Sequence, residues 1–560
     1  MKGDFNPKDY EASNIRSSHQ DIICGLGHRV RADSLKSYLQ QLEAFYTRHT
    51  YADTLSNKTG IGAARRWAFS KFKEISLENE NRLIPSYLQF DYPNGSCGPG
   101  YGWKNVLAVL PGSDVTNHQI VLIEAHMDSR CEVPCDVNCF APGVEDNGSG
   151  TALVIELARA LSTFTFKHTI VFMLTIGEEE GLYGAEAMAK YCIDEGIAIK
   201  GVLNNDIVGA IECGETASPP GCPGEGDLDS THVRLFTNGS ILTQNRGFAR
   251  SIKLYNDEML KGLLEVPMDV EIMNQEDRTG RGGDHIPFRI QGFTNVRFTS
   301  ANEHGDAHPD AEYTDRQHTS KDVLGSDIDS NGIIEEYFVN FEYLKRNAII
   351  NGTALTMLAL GPKTPEFEVF DEPAGLRVEI KRESIFKEYR IGVRKAGLSQ
   401  AFTAMYRTTE TNLIVPGMEM GKPYWISVAG IDENNITSIF SNEIVKTNDA
   451  TTDVANVDDL PYSLNCSVLG NQRPHNANIK ESIKLFPNPT NGTIRIEIPN
   501  GIDDFEFIRF SDLQGKFAQE IALNGEEMNI KLGLRPGIYF YEIHGKRHVI
   551  STGKLIMLPN

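Results

Sequence analysis

HTIVFMLTIGEEEG, residues 168–181, is a nearly continuous apolar run that stops at a glycine and three glutamates. An apolar run without polar alternation fits a strand covered on both faces, the setting of a central strand in a parallel sheet. QIVLIEAHMD (119–128) precedes it with the same character, and IKGVLNNDIVG (199–209) follows it. Between them lie TALVIELARALST (151–163) and AEAMAKYCIDEG (185–196), whose apolar residues recur at helical spacing. Strand, helix, strand, helix, strand predicts an α/β fold: a largely parallel (mixed), doubly wound sheet flanked by helices.

Ligands of such sheets sit beyond the carboxyl ends of the strands. His126, Glu179 and Asp206 fall at predicted strand ends. Asp146 lies in GVEDNGSG (143–150) and His318 in AEYTDRQHTSKD (311–322). Two imidazoles and three carboxylates suffice to hold two divalent ions. A carboxylate can span two ions and a neutral imidazole cannot, so Asp146 is the expected bridge. His126 and Asp206 then complete one site, Glu179 and His318 the other. Asp128, two residues past His126, is placed to accept its ring N–H and fix the tautomer. Side chains adjacent in a loop diverge, which leaves Glu178 to act as general base on a water attacking an amide carbonyl. Taken singly these signals are bland. An isolated His-x-Asp is mostly structural, and EEEG reads as a solvated helix start with acids near the dipole. Their joint placement at the ends of one sheet carries the reading.

At 560 residues the chain is too long for one core. With 54 basic against 76 acidic side chains the net charge is −22, which argues against nucleic acid or an anionic membrane as partner. Calcium at side sites is compatible with that charge. No run reaches the length of a membrane-spanning helix, so stable membrane insertion is not expected. MKGDFNPKDYEASN, at the start, lacks the apolar stretch of a signal peptide. Nine cysteines exclude complete pairing. Cys131, Cys135 and Cys139 have the spacing of a weak zinc site, three thiolates without a fourth ligand nearby. Cys213 and Cys222 bracket GETASPPG and are the candidate disulfide, which would favour export.

Residues 12–85 read as helical, with Asp33 or Ser34 capping LKSYLQQLEAFYTRH, and 1–99 is expected to form a helical part packing on the sheet domain. The sheet domain spans 100–362 and closes with the helical stretch EEYFVNFEYLKRNAIINGTALTMLAL (335–360). Short strands separated by turns then predict a β-sandwich at 365–447. An Asn-, Asp- and Pro-rich linker covers 448–480, and a last β-sandwich covers 481–560.

HMD (126–128), PGVEDNGSG (142–150), GEEEGLYGA (177–185), NND (204–206), GGDHIPF (282–288) and HTSKD (318–322) together resemble the M28 family of zinc aminopeptidases across roughly 100–345. The resemblance implies two zinc ions held by His126, Asp146, Glu179, Asp206 and His318, with Glu178 as base. Glu180 stands where that family usually has a hydrophobic residue, and the following GLYG keeps the register. Asp284 and His285 are implied to lie behind the ligands or in the pocket wall. Peptides are the implied substrate, and Glu212, Glu215, Glu303, Asp306 and Asp310 are available to meet a free α-amine. The alternatives are a carboxypeptidase or dipeptidase of the same clan, a glutaminyl cyclase-like enzyme with one zinc, and a secreted, non-catalytic binding protein. PYWISVAGID (423–432) followed by SNE (441–443) resembles a fibronectin type III domain, a kind of module that usually serves as spacer or contact surface. LFPNPTNGTIRIEI (485–498), DLQGK (512–516) and LRPGIYFYEI (534–543) resemble the C-terminal sorting domain of type IX secretion in Bacteroidetes. That implies the type IX machinery as partner and export across the outer membrane to the surface or beyond.

Overall fold

The computed structural model describes residues 6–114, 119–240, 243–305, 315–395, 400–450, 484–497, 505–511, 517–523, 527–545 and 549–558. Eight strands make the central sheet: β1 (Ile84–Tyr92), β2 (Gly100–Leu110), β3 (Ile120–His126), β4 (Thr169–Thr175), β5 (Ile199–Asn205), β6 (His232–Phe236), β7 (Asp269–Ile272) and β8 (Asn295–Ser300). Their order is β1-β2-β4-β3-β5-β8-β6-β7. The central pairs β3–β4, β3–β5 and β5–β8 are parallel, while β1–β2, β2–β4 and β6–β8 are antiparallel. The sheet is therefore mixed, with the parallel part in the middle.

The helices are α1 (His19–Arg29), α2 (Ala32–Glu43), α3 (Gly60–Glu78), α4 (Gly150–Leu161), α5 (Tyr183–Asp194), α6 (Asn245–Tyr255), α7 (His285–Ile290) and α8 (Phe341–Leu360). Strand alternation sorts them onto two faces. Val121, Ile123 and Ala125 of β3 share a core with residues of α1, α2, α3, α4, α6 and α8. Ile120 and Leu122 point the other way, into a smaller core with Met188 and Cys192 of α5 and Phe288 of α7.

Two local expectations are corrected. Asp33 does not cap α2; the helix starts at Ala32, and Asp33 sits in its first turn, where its charge favours the helix dipole. Residues 1–99 are not helical throughout, because β1 forms one edge of the main sheet. Its apolar residues, Ile84, Leu88, Phe90 and Tyr92, fall at period two, the pattern of a half-covered strand.

A hairpin of β9 (Gly325–Ser326) and β10 (Glu336–Tyr337) precedes α8. After α8 come β11 (Phe367–Glu372), β12 (Gly375–Ile380), β13 (Glu388–Lys395), β14 (Ala404–Thr408), β15 (Asn412–Ile414), β16 (Lys422–Ile431) and β17 (Ile444–Asn448). They form a three-stranded sheet, β11-β12-β15, and a four-stranded one, β14-β13-β16-β17, around a shared core. This sandwich is fastened to α6 and the turn after it. Arg390 meets Glu258 at 3.0 Å and Arg250 meets Glu443 at 3.1 Å, all four side chains at most 3% exposed. Leu254 packs with Phe440, Met405 and Ala429, and a Cβ on Gly247 would lie 2.4 Å from the Phe440 carbonyl oxygen. The module is thus docked onto the domain of the central sheet, not a loose spacer.

The expected linker lies outside the described residues from 451 onward. The C-terminal unit carries a three-stranded sheet, Lys484–Phe486, Thr493–Glu497 and Glu527–Lys531, and a four-stranded sheet built on Phe505–Ser511 and Gly537–Gly545. Ile494, Ile508, Phe510, Ile543 and Leu555 form its core. Among the described residues no helix is long and apolar enough to cross a membrane.

Candidate metal centre

His126 is the last residue of β3, Glu178 and Glu179 follow β4, and Asp206 follows β5. Three neighbouring strands thus deliver their polar ends to one rim of the sheet. Asp146 arrives on an irregular turn, Val144–Ser149, that leads into α4. The carboxylate of Asp322 holds this turn by accepting from the main-chain N–H groups of Glu145 and Asp146, both at 2.9 Å. Burial pushes the Asp322 carboxyl up to about 7. Gly150 is required at the helix start, since a Cβ there would lie 2.3 Å from the Asn205 carbonyl oxygen.

Asp146 faces two groups of donors with its two oxygens. Oδ1 lies 3.2 Å from His126 Nε2, which is itself 3.4 Å from Asp206 Oδ1. Oδ2 lies 3.0 Å from His318 Nε2, which is 3.0 Å from Glu179 Oε2. Glu178 Oε2 stands further off, 3.9 Å from His126 Nε2. The structure therefore brings together all five predicted ligands and the predicted base.

The donor set fits zinc: His126, Asp146 and Asp206, and likewise Asp146, Glu179 and His318, have donor atoms within 4.8 Å of one another. His126 Nε2, Asp206 Oδ1 and Glu179 Oε1 are buried and have no hydrogen-bond partner, a costly state unless a cation faces them. The electrostatics agree. Burial disfavours the charge of Asp146, but His126 and His318 hold its pKa well below the usual carboxylate range. Burial disfavours protonated His126 as well, yet Glu178, Asp206, Asp128 and Asp146 raise its pKa well above the ordinary value. Glu178 is pushed well upward, first by burial and then by the charges of Asp206, Asp284 and Glu179, with His126 pulling it back down.

Asp128 Oδ1 is 3.5 Å from His126 Nδ1, and the Asp128 carbonyl oxygen is closer, at 3.2 Å. The ring nitrogen of His126 thus meets the Asp128 main-chain oxygen, while the expected side-chain acceptor Oδ1 stands near it without a hydrogen bond. Asp284 and His285 are wholly buried. Asp284 accepts from the Thr175 hydroxyl at 2.5 Å, and burial pushes its carboxyl up to about 7. His285 Nε2 meets the Glu276 carbonyl oxygen at 3.1 Å. Of the acids available for an α-amine, Glu303 is engaged by Arg278 at 2.8 Å and Arg234 at 3.4 Å, and Asp306 and Asp310 lie outside the described residues.

Cys213 and Cys222 form the expected disulfide. The zinc reading of Cys131, Cys135 and Cys139 is overturned: Cys131 pairs with Cys139 and Cys135 with Cys97, so no thiolate remains there. The calcium expectation meets one group, the exposed carboxylates of Asp327, Asp329 and Glu335, with donor atoms within 4.8 Å of one another.

Several residues around the centre escaped the sequence reading. Arg297 ion-pairs with Asp206 at 2.9 Å and Asp277 at 2.8 Å while wholly buried. A charge between Val296 and Phe298 in the buried strand NVRFTS (295–300) was the signal for it. Gln317 donates to Asp146 Oδ2 at 2.9 Å, and Arg130 reaches Glu179 at 3.2 Å and His318 Nδ1 at 2.5 Å.

Comparison with known proteins identifies the family. Residues 105–341 match the profile of peptidase family M28, and residues 484–558 match the secretion system C-terminal sorting domain. A probable zinc metalloprotease of Pyricularia oryzae is 30% identical over 403 residues, covering 70% of this chain and 76% of that protein. Another, from Pyrenophora tritici-repentis, is 28% identical over 434 residues, covering 75% and 89%. Among solved structures, the LapA aminopeptidase of Legionella pneumophila is similar with a TM-score of 0.45 and 19% identity, over 63% of this chain and 77% of that one. The chain belongs to peptidase family M28: it is a metallopeptidase whose C-terminal sorting domain addresses it to type IX secretion and the cell surface.

Proposed function

We propose that this protein is an exported aminopeptidase that works with two zinc ions. His126 and Asp206 would hold one ion, Glu179 and His318 the other, and Asp146 would serve both. The observation that carries this reading is the division of labour at Asp146, whose two oxygens each face one histidine, at 3.2 and 3.0 Å. When bound, the zinc pair supplies Lewis acidity toward the scissile carbonyl and the attacking water. Glu178 takes the proton of that water and returns it to the leaving nitrogen. Asp128 orients His126, and buried Arg297 fixes Asp206. We take 100–362 as the peptidase segment, completed by β1 and the helices before it, and 448–480 as the linker to a sorting module at 481–560. The seven strands between 367 and 448, split three and four between two sheets, favour a fibronectin type III-like sandwich.

The test uses the full chain, stripped with a chelator and titrated with zinc. The expected result is two zinc ions per chain, with activity regained on aminoacyl anilides and none on N-blocked analogues. Cleavage of blocked peptides from a free carboxyl end would instead support a carboxypeptidase. A single zinc with cyclisation of N-terminal glutamine would support the cyclase reading.

A further inference from the structure

The segment Thr47–Tyr51, TRHTY, joins α2 to α3 and precedes the span that matches the family. It touches three of the loops that carry the metal centre, those of His126, Asp146 and the glutamate pair. Thr47 pairs with Ala141 in a parallel bridge. Arg48 is wholly buried and donates to the carbonyl oxygens of Met127 at 2.7 Å and Gly143 at 2.8 Å, and to that of Pro142. It thereby staples the strand end after His126 to the turn before Asp146. His49 Nδ1 accepts from the Tyr51 N–H at 3.2 Å, so Nε2 carries the proton. That proton faces the Pro134 carbonyl oxygen at 2.7 Å and Glu180 Oε1 at 3.3 Å.

Thr50 makes the contact with chemical consequence. Its hydroxyl donates to Asp128 Oδ2 at 3.0 Å and accepts from the Gly177 N–H at 2.8 Å. The same Asp128 oxygen accepts from the Glu179 N–H at 3.3 Å, while Oδ1 lies 3.5 Å from His126 Nδ1. A hydroxyl has a single proton to give. Spending it on Asp128 and accepting from Gly177 places Thr50 between the carboxylate behind His126 and the turn that presents Glu178 and Glu179.

We propose that Thr50 is a positioning residue for both halves of the metal centre, acting through Asp128 on His126 and through Gly177 on the glutamate pair. The proposal rests on the two-zinc reading above. Partners behind metal ligands typically contribute tenfold to hundredfold in metal affinity or activity.

The test compares Thr50→Val, which keeps the shape and removes the hydroxyl, with Thr50→Ser, which keeps the hydroxyl. Zinc retention against graded chelator is read without substrate; kcat and KM on an aminoacyl anilide and the melting temperature are read beside it. Thr50→Val is expected to lose tenfold to hundredfold in zinc affinity or kcat with KM nearly unchanged, and Thr50→Ser to restore both to within a few-fold. In an Asp128→Asn background, Thr50→Val should cost clearly less than in the wild type, because only the Gly177 contact remains to be lost. Equal loss in both backgrounds would overturn the proposal, as would unchanged zinc affinity and kcat in Thr50→Val. Should Thr50→Val not fold, Thr50→Ala is read in its place. Failure of both to fold while Thr50→Ser folds would also overturn it, since the hydroxyl would then hold the fold and not the site. Zinc retention separates this proposal from the proposed function. Loss of zinc in Thr50→Val with an inactive wild-type protein would sink the aminopeptidase reading and leave the positioning role standing.

Discussion

Replacing Glu178 by Gln is the sharpest probe of how the adjacent glutamates divide their work. Gln keeps the shape and removes the ability to hold a proton as a carboxylate does. Glu178 Oε2 lies 3.9 Å from His126 Nε2, beyond Asp146 at 3.2 Å and Asp206 at 3.4 Å. Its removal leaves all five proposed ligands in place, so zinc content and melting temperature should stay close to those of the wild type. A positioned general base contributes roughly 10²–10⁴ in rate. At about 1.4 kcal/mol per tenfold this is roughly 3–5 kcal/mol of barrier, borne by kcat. Glu179→Gln should behave differently. Glu179 Oε2 lies 3.0 Å from His318 Nε2 and 3.2 Å from Arg130 Nε, so this change weakens a proposed ligand and removes a negative charge beside a guanidinium. It should lower zinc content toward one ion per chain. The assay pairs metal analysis of dialysed protein with steady-state kinetics on an aminoacyl anilide. Zinc loss in Glu178→Gln, or a kcat within tenfold of wild type, would refute the assignment.

Burial opposes ionisation of Asp277, but Arg297 and Arg278 hold its pKa well below the usual carboxylate range. Its stabilising effect is therefore complete above the unfolded carboxylate value of about 4 and is lost as pH falls below that. Asp277→Asn should flatten the acid limb of a melting-temperature profile and cost about 3–5 kcal/mol at neutral pH, because two buried cations lose a partner. Arg390→Leu, which strands Glu258 at the foot of the sandwich, should destabilise by a similar 3–5 kcal/mol, whereas changing both residues to leucine should cost much less; denaturant midpoints check both. Removing the Cys131–Cys139 bridge with paired serines should cost on the order of 2–3 kcal/mol. Its loop carries Glu132, which holds Ser320 near His318, so activity should fall before global unfolding in a thermal inactivation series.

The middle of the sheet was legible because strands covered on both faces leave an unbroken apolar signature, as in β3, β4 and β5. Three of the proposed ligands, His126, Glu179 and Asp206, were legible because they stand where those runs end. Edge strand β1 was not, since half of its surface is open and its polar positions blur into the helix before it. The pairing of Cys97 with Cys135 could not be read either, as the two lie 38 residues apart and spacing says nothing of which cysteines meet. Thr50 and Arg48 left no periodic trace. They are single polar residues in a loop, and their roles exist only in contacts with chain some 80 to 130 positions later.

The docking of the β11–β17 sandwich onto α6 bears on where such a protein can be cut. The span recognisable as a peptidase, 105–341, is shorter than the body that folds. Upstream it would forfeit an edge of its sheet and the braces around Arg48; downstream it would lose the closing helix and bare the floor beneath Phe440. Recombination or engineering that transplants the activity must therefore carry the residues from α1 to the end of β17 as one inheritance.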